Sequence, residues 1–471
     1  MFKRENEEKL QWILLPIEIK VRELESRLLL ACYAAKAGYG VIIGSKNELN
    51  RALPYLPRGL YFDKSISRNK FEQIKNRVDL GYVYGVIDEE GLSYHRDKSN
   101  YVQTRLSKET LKLTDLVYTW GKGQAIAIAE AYPEFHEKVV ITGNPRIDLY
   151  RSQFRGIYED VKNDLQAIYG KFILIPSNFA GYIHARGANF TIEQAKSYGN
   201  IKTKEDEEIL KERLDYKQEN LNQYLKAIRE LSKRFSDYTI IIRPHPADNH
   251  NYWKEKTESI PNVKVIYKGK VTPWIMAAEA VIHHGCTTGL ESYLLEVPCI
   301  AYLPCENPKF DGGISNTVSL KAYSQHELIS MVTDIITNKV SGQDIFNNKE
   351  KKEYLAKHLE ALEGELATEK IVNSFKQVKQ KVPHETFNDI PLKIKIKNKI
   401  NALKLKSKLL RASLNLIREE DVKTLKIKQQ KILDIGAMEI DTLISFFCRA
   451  EQTPENITFK KIDENLFLVK K

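Results

Sequence analysis

AVIHHGCTTGLESYLLEVPCIAY, residues 280–302, puts three elements in one line. AVIHH is an apolar run that ends in polar residues. Gly285 breaks it, Thr287 or Thr288 can cap a helix, and PCIAY is the next apolar run. A strand, a helix and a strand in so short a span make a βαβ unit, and βαβ units build parallel sheets.

The same alternation extends outward in both directions. Upstream, KFILIPS (171–177), YTIIIRP (238–244) and NVKVIY (262–267) read as strands of the same series. A polar insertion, 181–214, and a long helix, 215–235, lie between the first two. An earlier series runs through QWILLP (11–16), YGVIIG (39–44), GLYF (59–62), YVYGVI (82–87), LVYTW (116–120) and KVVITG (138–143). Residues 21–37 carry Leu24, Leu28, Ala31 and Ala35 at helical spacing, and Gly38 stops that helix. The fold class expected is α/β, with two doubly wound Rossmann-type domains facing a cleft and a helical basic C-terminal tail. The domains are placed at 1–160, 161–384 and 385–471, with 350–382 a charged helix.

With 471 residues, two or three domains are expected. Hydrophobic residues make up 42%, enough for a core, and no apolar run reaches the roughly 18 residues of a membrane span. MFKRENEEKLQW lacks the apolar stretch of a signal peptide. Five scattered cysteines (Cys32, Cys286, Cys299, Cys305, Cys448) form no CxxC pair and suggest neither a disulfide framework nor a zinc site. A cytoplasmic location follows. The net charge of +11 is concentrated: residues 393–431 hold thirteen Lys/Arg against three acids, so the rest of the chain is nearly neutral.

Ligands of such sheets bind beyond the carboxyl ends of the strands. Four strand ends carry unusual chemistry there. VIDEEG delivers Asp88, Glu89 and Glu90 before Gly91; three adjacent acids repel, which suits one of them to proton abstraction. An exposed acidic turn or a metal site through Asp88 and Glu90 are the alternatives. IPSNFAG presents Ser177 and Asn178. IIIRPHP presents Arg243 and His245, the latter restrained between Pro244 and Pro246. HHGCTTGLES presents Gly285, Thr287, Thr288 and Glu291 at a helix start, where backbone N–H groups and the helix dipole attract phosphate. Arg243, His245 and this helix start are read together as a phosphate clamp, with Glu291 placed for a ribose. His283 and His284 read as packed or capping groups.

These residues resemble known patterns. The two-unit layout resembles the GT-B glycosyltransferase architecture, and VVITGNPRIDLY (139–150) resembles the linker entry of the UDP-GlcNAc 2-epimerase/GT-B group. GCTTGLESYLLEVPCIAY resembles the phosphate-and-ribose helix of GT-B enzymes. RPHP resembles the His-Pro motif of bacterial sialyltransferases and Kdo transferases, and Glu89-Glu90-Gly91 their acidic-acidic-Gly motif, with Thr287-Thr288 at their Ser/Thr pair. More broadly, residues 10–340 resemble the bacterial surface carbohydrate biosynthesis protein family. The resemblance implies a metal-independent nucleotide-sugar glycosyltransferase of capsule or lipopolysaccharide assembly, with no cofactor. It implies a CMP-activated Kdo or sialic-type donor, Glu90 or else Glu89 as base, and a glycan or lipid-linked acceptor. The insertion at 181–214 and His283-His284 depart from the sialyltransferase pattern. A UDP-sugar transferase or 2-epimerase and a CDP-polyol phosphotransferase are the alternatives.

Residues 392–431 begin with lysines alternating with Ile and Leu, a pattern that suits an anionic membrane surface. Nucleic acid is not an expected partner, because 392–417 has no aromatic side chain on which bases could stack.

Overall fold

The computed structural model describes residues 10–95, 98–187, 189–197, 201–339, 345–383, 387, 389–413, 434–451 and 457–471. The 414–431 part of the basic segment, and the first nine residues, lie outside these. The strands in chain order are β1 (Trp12–Ile17), β2 (Gly40–Ser45), β3 (Leu60–Asp63), β4 (Val83–Ile87), β5 (Leu116–Thr119), β6 (Val139–Ile141), β7 (Phe172–Pro176), β8 (Thr239–Arg243), β9 (Val263–Val265), β10 (Ala280–His283), β11 (Cys299–Tyr302), β12 (Leu320–Ala322), β13 (Thr458–Asp463) and β14 (Leu466–Lys470). Each of the eleven apolar runs read from the sequence overlaps one of β1–β11. All but the edge strands β6 and β9 are largely buried on both faces, so their signal is a continuous apolar run rather than alternation.

The chain divides into two units, Met1–Ile157 with Ala356–Lys471, and Tyr158–Leu355. Each is built on its own sheet.

The first unit has the order β13-β14-β2-β1-β3-β4-β5-β6. Strands β1 to β6 pair in parallel. The chain leaves β1 for β2 on one side and returns to β3 on the other, so the topological switch point lies between β1 and β3. The helix Lys20–Lys36 follows β1, and its apolar face is fully buried.

The second unit has the order β12-β11-β10-β7-β8-β9, parallel throughout. This is the 3-2-1-4-5-6 order of the dinucleotide-binding fold, with its switch point between β7 and β10. The core of this sheet includes Ile173, Ile175, Ile240, Ile242, Ile282 and Ile300.

Four expectations need correction. Residues 356–384 belong with the first unit, not the second. Asp148 is the reason: its carboxylate accepts the backbone N–H groups of Ala367 (3.0 Å) and Thr368 (2.8 Å), capping the helix Ala367–Ser374. Residues 350–382 are not one helix. Lys349–His358 and Ala367–Ser374 are separated by a turn in which Ala361 and Gly364 have positive φ. The C-terminal segment is not a separate helical tail. β13 and β14 form a hairpin, and β14 pairs antiparallel with β2, covering the edge of the first sheet. The long helix also begins earlier than expected, at Lys204, where Thr203 and Asp206 form a capping box.

Candidate active site

In the second unit the predicted residues collect at the β7/β10 switch point. Ser177 and Asn178 follow β7. His284 and Gly285 follow β10. The Asn178 side-chain amide donates to the His284 carbonyl at 2.8 Å, tying the two strand ends together. Gly285 has φ +59°, a left-handed turn that a side chain resists. The chain then enters the helix Thr287–Leu294, whose N-cap is Cys286 with no side-chain capping bond. Thr287 and Thr288 are therefore the first helical residues and not caps. The Gly289 N–H donates to the Cys286 carbonyl at 3.2 Å, while the Thr287 and Thr288 N–H groups at the helix start precede the first helical carbonyls, which is the condition for anion binding.

His245 stands on the neighbouring strand end, since Arg243 pairs with Pro176 in register. The Ala247 N–H donates to His245 Nδ1 at 3.1 Å, which assigns the ring proton to Nε2. Asp248 braces this turn: its carboxylate accepts the His245 N–H (3.2 Å) and the Trp253 indole N–H (3.0 Å). The Pro-His-Pro restraint is thus reinforced by a buried carboxylate five residues after the strand.

Arg243 does not join a phosphate clamp. Its guanidinium is buried, donates to the Lys268 carbonyl (2.9 Å) and the Gly269 carbonyl, and lies between the Tyr267 and Trp274 rings, 5.4 and 5.5 Å from their centroids. Burial lowers its pKa to about 10, against the opposing pull of Tyr267 and Glu291. It organises the 267–270 loop. Lys270 in that loop is half-buried and donates to the Tyr158 hydroxyl at 2.9 Å; loss of solvent around the ammonium lowers its pKa to about 7, with Glu291 pulling the other way. Glu291 is buried beside these two cations.

His283 and His284 are packed, as expected. His283 Nε2 lies 2.7 Å from the Ser319 hydroxyl. His284 stacks on Phe179 with centroids 5.5 Å apart, and its Nε2 is 3.1 Å from the Tyr216 hydroxyl. Tyr216 in turn bonds the Asp311 carboxylate. Lys217 donates to the Asn178 carbonyl at 2.5 Å. Sequence reasoning missed Tyr216, Lys217 and Asp311. Tyr216 and Lys217 fall within the helix expected over 215–235 and Asp311 in the loop after β11, and no local pattern marked them.

In the first unit the three acids separate sharply. Asp88 is buried and held by Arg105, with Nε 3.0 Å from Oδ2, so its carboxylate is engaged. The Glu90 side chain is 55% exposed and 3.7 Å from Arg22. The Glu89 side chain is 15% exposed, 3.9 Å from Arg27 and 3.7 Å from Arg146. Burial pushes the Glu89 pKa up, while Arg146 and Arg27 oppose the rise. The shift comes from burial, not from repulsion within the acidic triplet. Glu89 is the better placed base of the two candidates.

Around it, at the β1/β3 switch point, lies a set of charges that the sequence reading did not name. Lys64 Nζ bonds Glu23 at 2.7 Å, and Lys46 Nζ bonds Asp63 at 2.8 Å. Arg27 is buried, lies over the Phe62 ring, and its two terminal nitrogens make no hydrogen bond among the described residues. The available signal was Arg27 itself, one position before Leu28 on the apolar face of its helix. Among the described residues, no group of three His, Cys, Asp or Glu side chains is arranged to hold a metal ion.

No protein-family model matches the chain, and no curated protein matches it. Several solved structures are similar to it. The UDP-GlcNAc 2-epimerase of Methanocaldococcus jannaschii is 12% identical, covering 78% of this chain and 99% of its own, with a TM-score of 0.47. The UDP-GlcNAc 2-epimerase of Neisseria meningitidis, bound to UDP-GlcNAc, is 12% identical over 77% of this chain and 98% of its own, TM-score 0.44. MnaA of S. aureus, solved with UDP, is 13% identical over 79% and 96%, TM-score 0.43. The resemblance to the surface carbohydrate family rests on the quoted motifs.

Proposed function

We propose that this protein is a nucleotide-sugar enzyme of bacterial surface-polysaccharide assembly. Its second unit would hold the nucleotide, and Glu89 of the first unit would be the proton acceptor. The observation that carries the reading is the convergence of Ser177, Asn178, Gly285, Thr288 and His245 on neighbouring strand ends at the switch point of a 3-2-1-4-5-6 sheet.

In this reading the first-turn N–H groups of Thr287–Leu294 and the Nε2–H of His245 receive the phosphate. Negative charge grows there as the bond to the sugar breaks, so fixed donors stabilise the transition state more than the ground state. Glu291 meets the ribose, and Arg243 serves by positioning the 267–270 loop. Glu89 removes a proton, from an acceptor hydroxyl in glycosyl transfer. The CMP-activated Kdo or sialic-type donor is the transferase reading. The second reading is a UDP-sugar transferase or a 2-epimerase; two of the structures above are named UDP-GlcNAc 2-epimerases.

Calorimetry and thermal shift with CMP, CDP, UDP and GDP, followed by mass analysis of products, test it. One nucleotide is expected to stabilise the protein, with affinity falling about tenfold or more in His245→Ala, the scale of a lost charge-assisted or buried hydrogen bond. Selectivity for CMP with a glycosylated product supports the transferase. UDP with an isomerised sugar and no acceptor supports the epimerase. CDP with transfer of a polyol phosphate supports the phosphotransferase. No response to any nucleotide overturns the proposal.

A further inference from the structure

The helix Leu392–Ser413 carries eight Lys/Arg and no acidic residue. Its attachment to the first unit is one-sided. Ile394 packs against the core and Asn398 is fully buried, accepting from Arg51 Nε at 2.5 Å and donating to Asp463. The opposite side is apolar and open. Leu392, Ile396, Ile400, Leu403 and Leu410 are between 45% and 72% exposed.

Their spacing is the decisive point. At about 100° per residue, these five fall within an arc of about 80°, and Asn398 lies roughly 200° from the centre of that arc. Lys393, Lys397, Lys404, Lys408 and Arg411 line one border of the stripe; Lys395, Lys399 and Lys406 line the other. Lys395 pairs with Asp389 and Lys406 with Asp434, and the remaining six have no acidic partner within 4 Å among the described residues. A helix meant only to pack on the body would bury its Leu and Ile side chains. This one buries Asn398, with Ile394 beside it, and presents five Leu and Ile side chains.

We propose that this helix is a docking surface for an anionic lipid bilayer. The apolar stripe would enter the headgroup–acyl boundary, and the flanking lysines would reach the lipid phosphates on either side, their stems along the apolar surface. Charge complementarity selects this occupant: a stripe of aliphatic side chains bordered by two rows of cations fits negative headgroups over an apolar interior. A nucleic acid would leave the stripe uncovered and find no aromatic platform in 392–413. Among the described residues no helix is long and apolar enough to cross a membrane, so the contact is a peripheral one. The proposal is independent of the nucleotide-sugar reading.

Flotation of the full chain with phosphatidylcholine vesicles, with and without phosphatidylglycerol, tests it. Two variants are compared with the wild type: Ile396→Glu/Leu403→Glu/Leu410→Glu, which removes the stripe, and Lys397→Glu/Lys404→Glu/Lys408→Glu, which reverses one cationic border. All six positions are exposed, so circular dichroism and melting temperature are expected to match the wild type. The wild type is expected to float with the anionic vesicles only, and less at high salt. Each variant is expected to lose about tenfold or more of its vesicle affinity. Three results overturn the proposal. The first is a wild type that stays behind with both vesicle types, and the second a stripe variant that floats like wild type. The third is another occupant: self-association lost in the stripe variant without vesicle binding assigns the face to a second copy, and RNA retention lost only in the lysine variant assigns it to nucleic acid.

Discussion

Glu89 and Glu90 are adjacent in sequence, yet one is buried and the other lies largely in water. Glu89→Gln is expected to lower kcat by roughly 10²–10⁴-fold, the worth of a general base, while nucleotide binding persists. Glu90→Gln is expected to change kcat less than about tenfold, because its side chain is 55% exposed and not held in a fixed place. Steady-state kinetics of the two variants decide; the reverse order returns the role to Glu90. The pH profile gives a second check. Burial raises the Glu89 pKa above the usual glutamate value of about 4.3. A base works only when deprotonated, so activity should climb with pH along a limb lying above 4.3, and Glu89→Gln should abolish that limb. The sequence marked the DEEG turn but not which acid it buries, since that depends on Arg27 and Arg146, far away along the chain. Arg243 fails to read correctly for the same reason. A cation at a strand end looks like a phosphate ligand until the Tyr267 and Trp274 rings and two carbonyls are seen to surround it.

At the scale of elements, the helix start after β10 depends on a close approach. A Cβ built at Gly289 would lie 2.3 Å from His283 Nε2, whose ring is held at Ser319. Gly→Ala inside a helix ordinarily stabilises by about 1 kcal/mol. Gly289→Ala is expected to do the opposite and destabilise by about 1–3 kcal/mol, because overpacking pushes the helix off the strand end. Thermal melts check the sign, and nucleotide titration of the same variant should show weakened binding. Elements lying in apolar runs were legible, which covers β1 to β11; β9 has an exposed lysine, but Val265, Ile266 and Tyr267 extend its run. β12, Leu320–Ala322, has no such extension and was not legible. Nor was the start of the long helix, because its first turns are charged and exposed and only the Thr203–Asp206 capping box announces them.

The whole chain is organised by returns that no local pattern reveals. One is the ion pair beneath the first switch point. Lys46 and Asp63, at the ends of β2 and β3, are both buried and 2.8 Å apart. Burial pushes the Lys46 pKa down but Asp63 pushes it further up, to about 12. Burial raises Asp63, and Lys46 with Lys70 and Arg77 overcomes it, holding the carboxyl well below the usual aspartate range. A depressed acid stabilises the fold above its unfolded pKa of about 3.9 and loses that contribution as pH falls toward the folded value. Asp63→Asn is expected to cost about 3–5 kcal/mol at neutral pH by stranding a buried cation, and to flatten the acid limb of stability against pH. Urea melts from neutral to acid pH measure both.

The other return is the C-terminal hairpin, which the sequence reading assigned to a helical tail. Leu466, Phe467 and Val469 are fully buried where β14 pairs with β2, and the Asn465 carbonyl accepts the Ser45 N–H at 2.9 Å. Gly44 exists for this contact: with φ +154°, its position would put a Cβ 1.9 Å from that same carbonyl. Removing residues 457–471 should therefore do more than shorten the protein. It strips β2 of a partner strand and exposes an apolar edge of the sheet that contains Glu89, Lys46 and Asp63 at its strand ends. Burying a large apolar side chain contributes about 1.5–3 kcal/mol, so three such losses reach the whole stability of an ordinary domain. The truncated chain is expected to partition into the insoluble fraction, and Phe467→Ala in the full chain to cost about 3–5 kcal/mol in urea melts. A truncated protein that stays soluble and melts like the full chain would show that the hairpin is an ornament on the sheet and not part of its core.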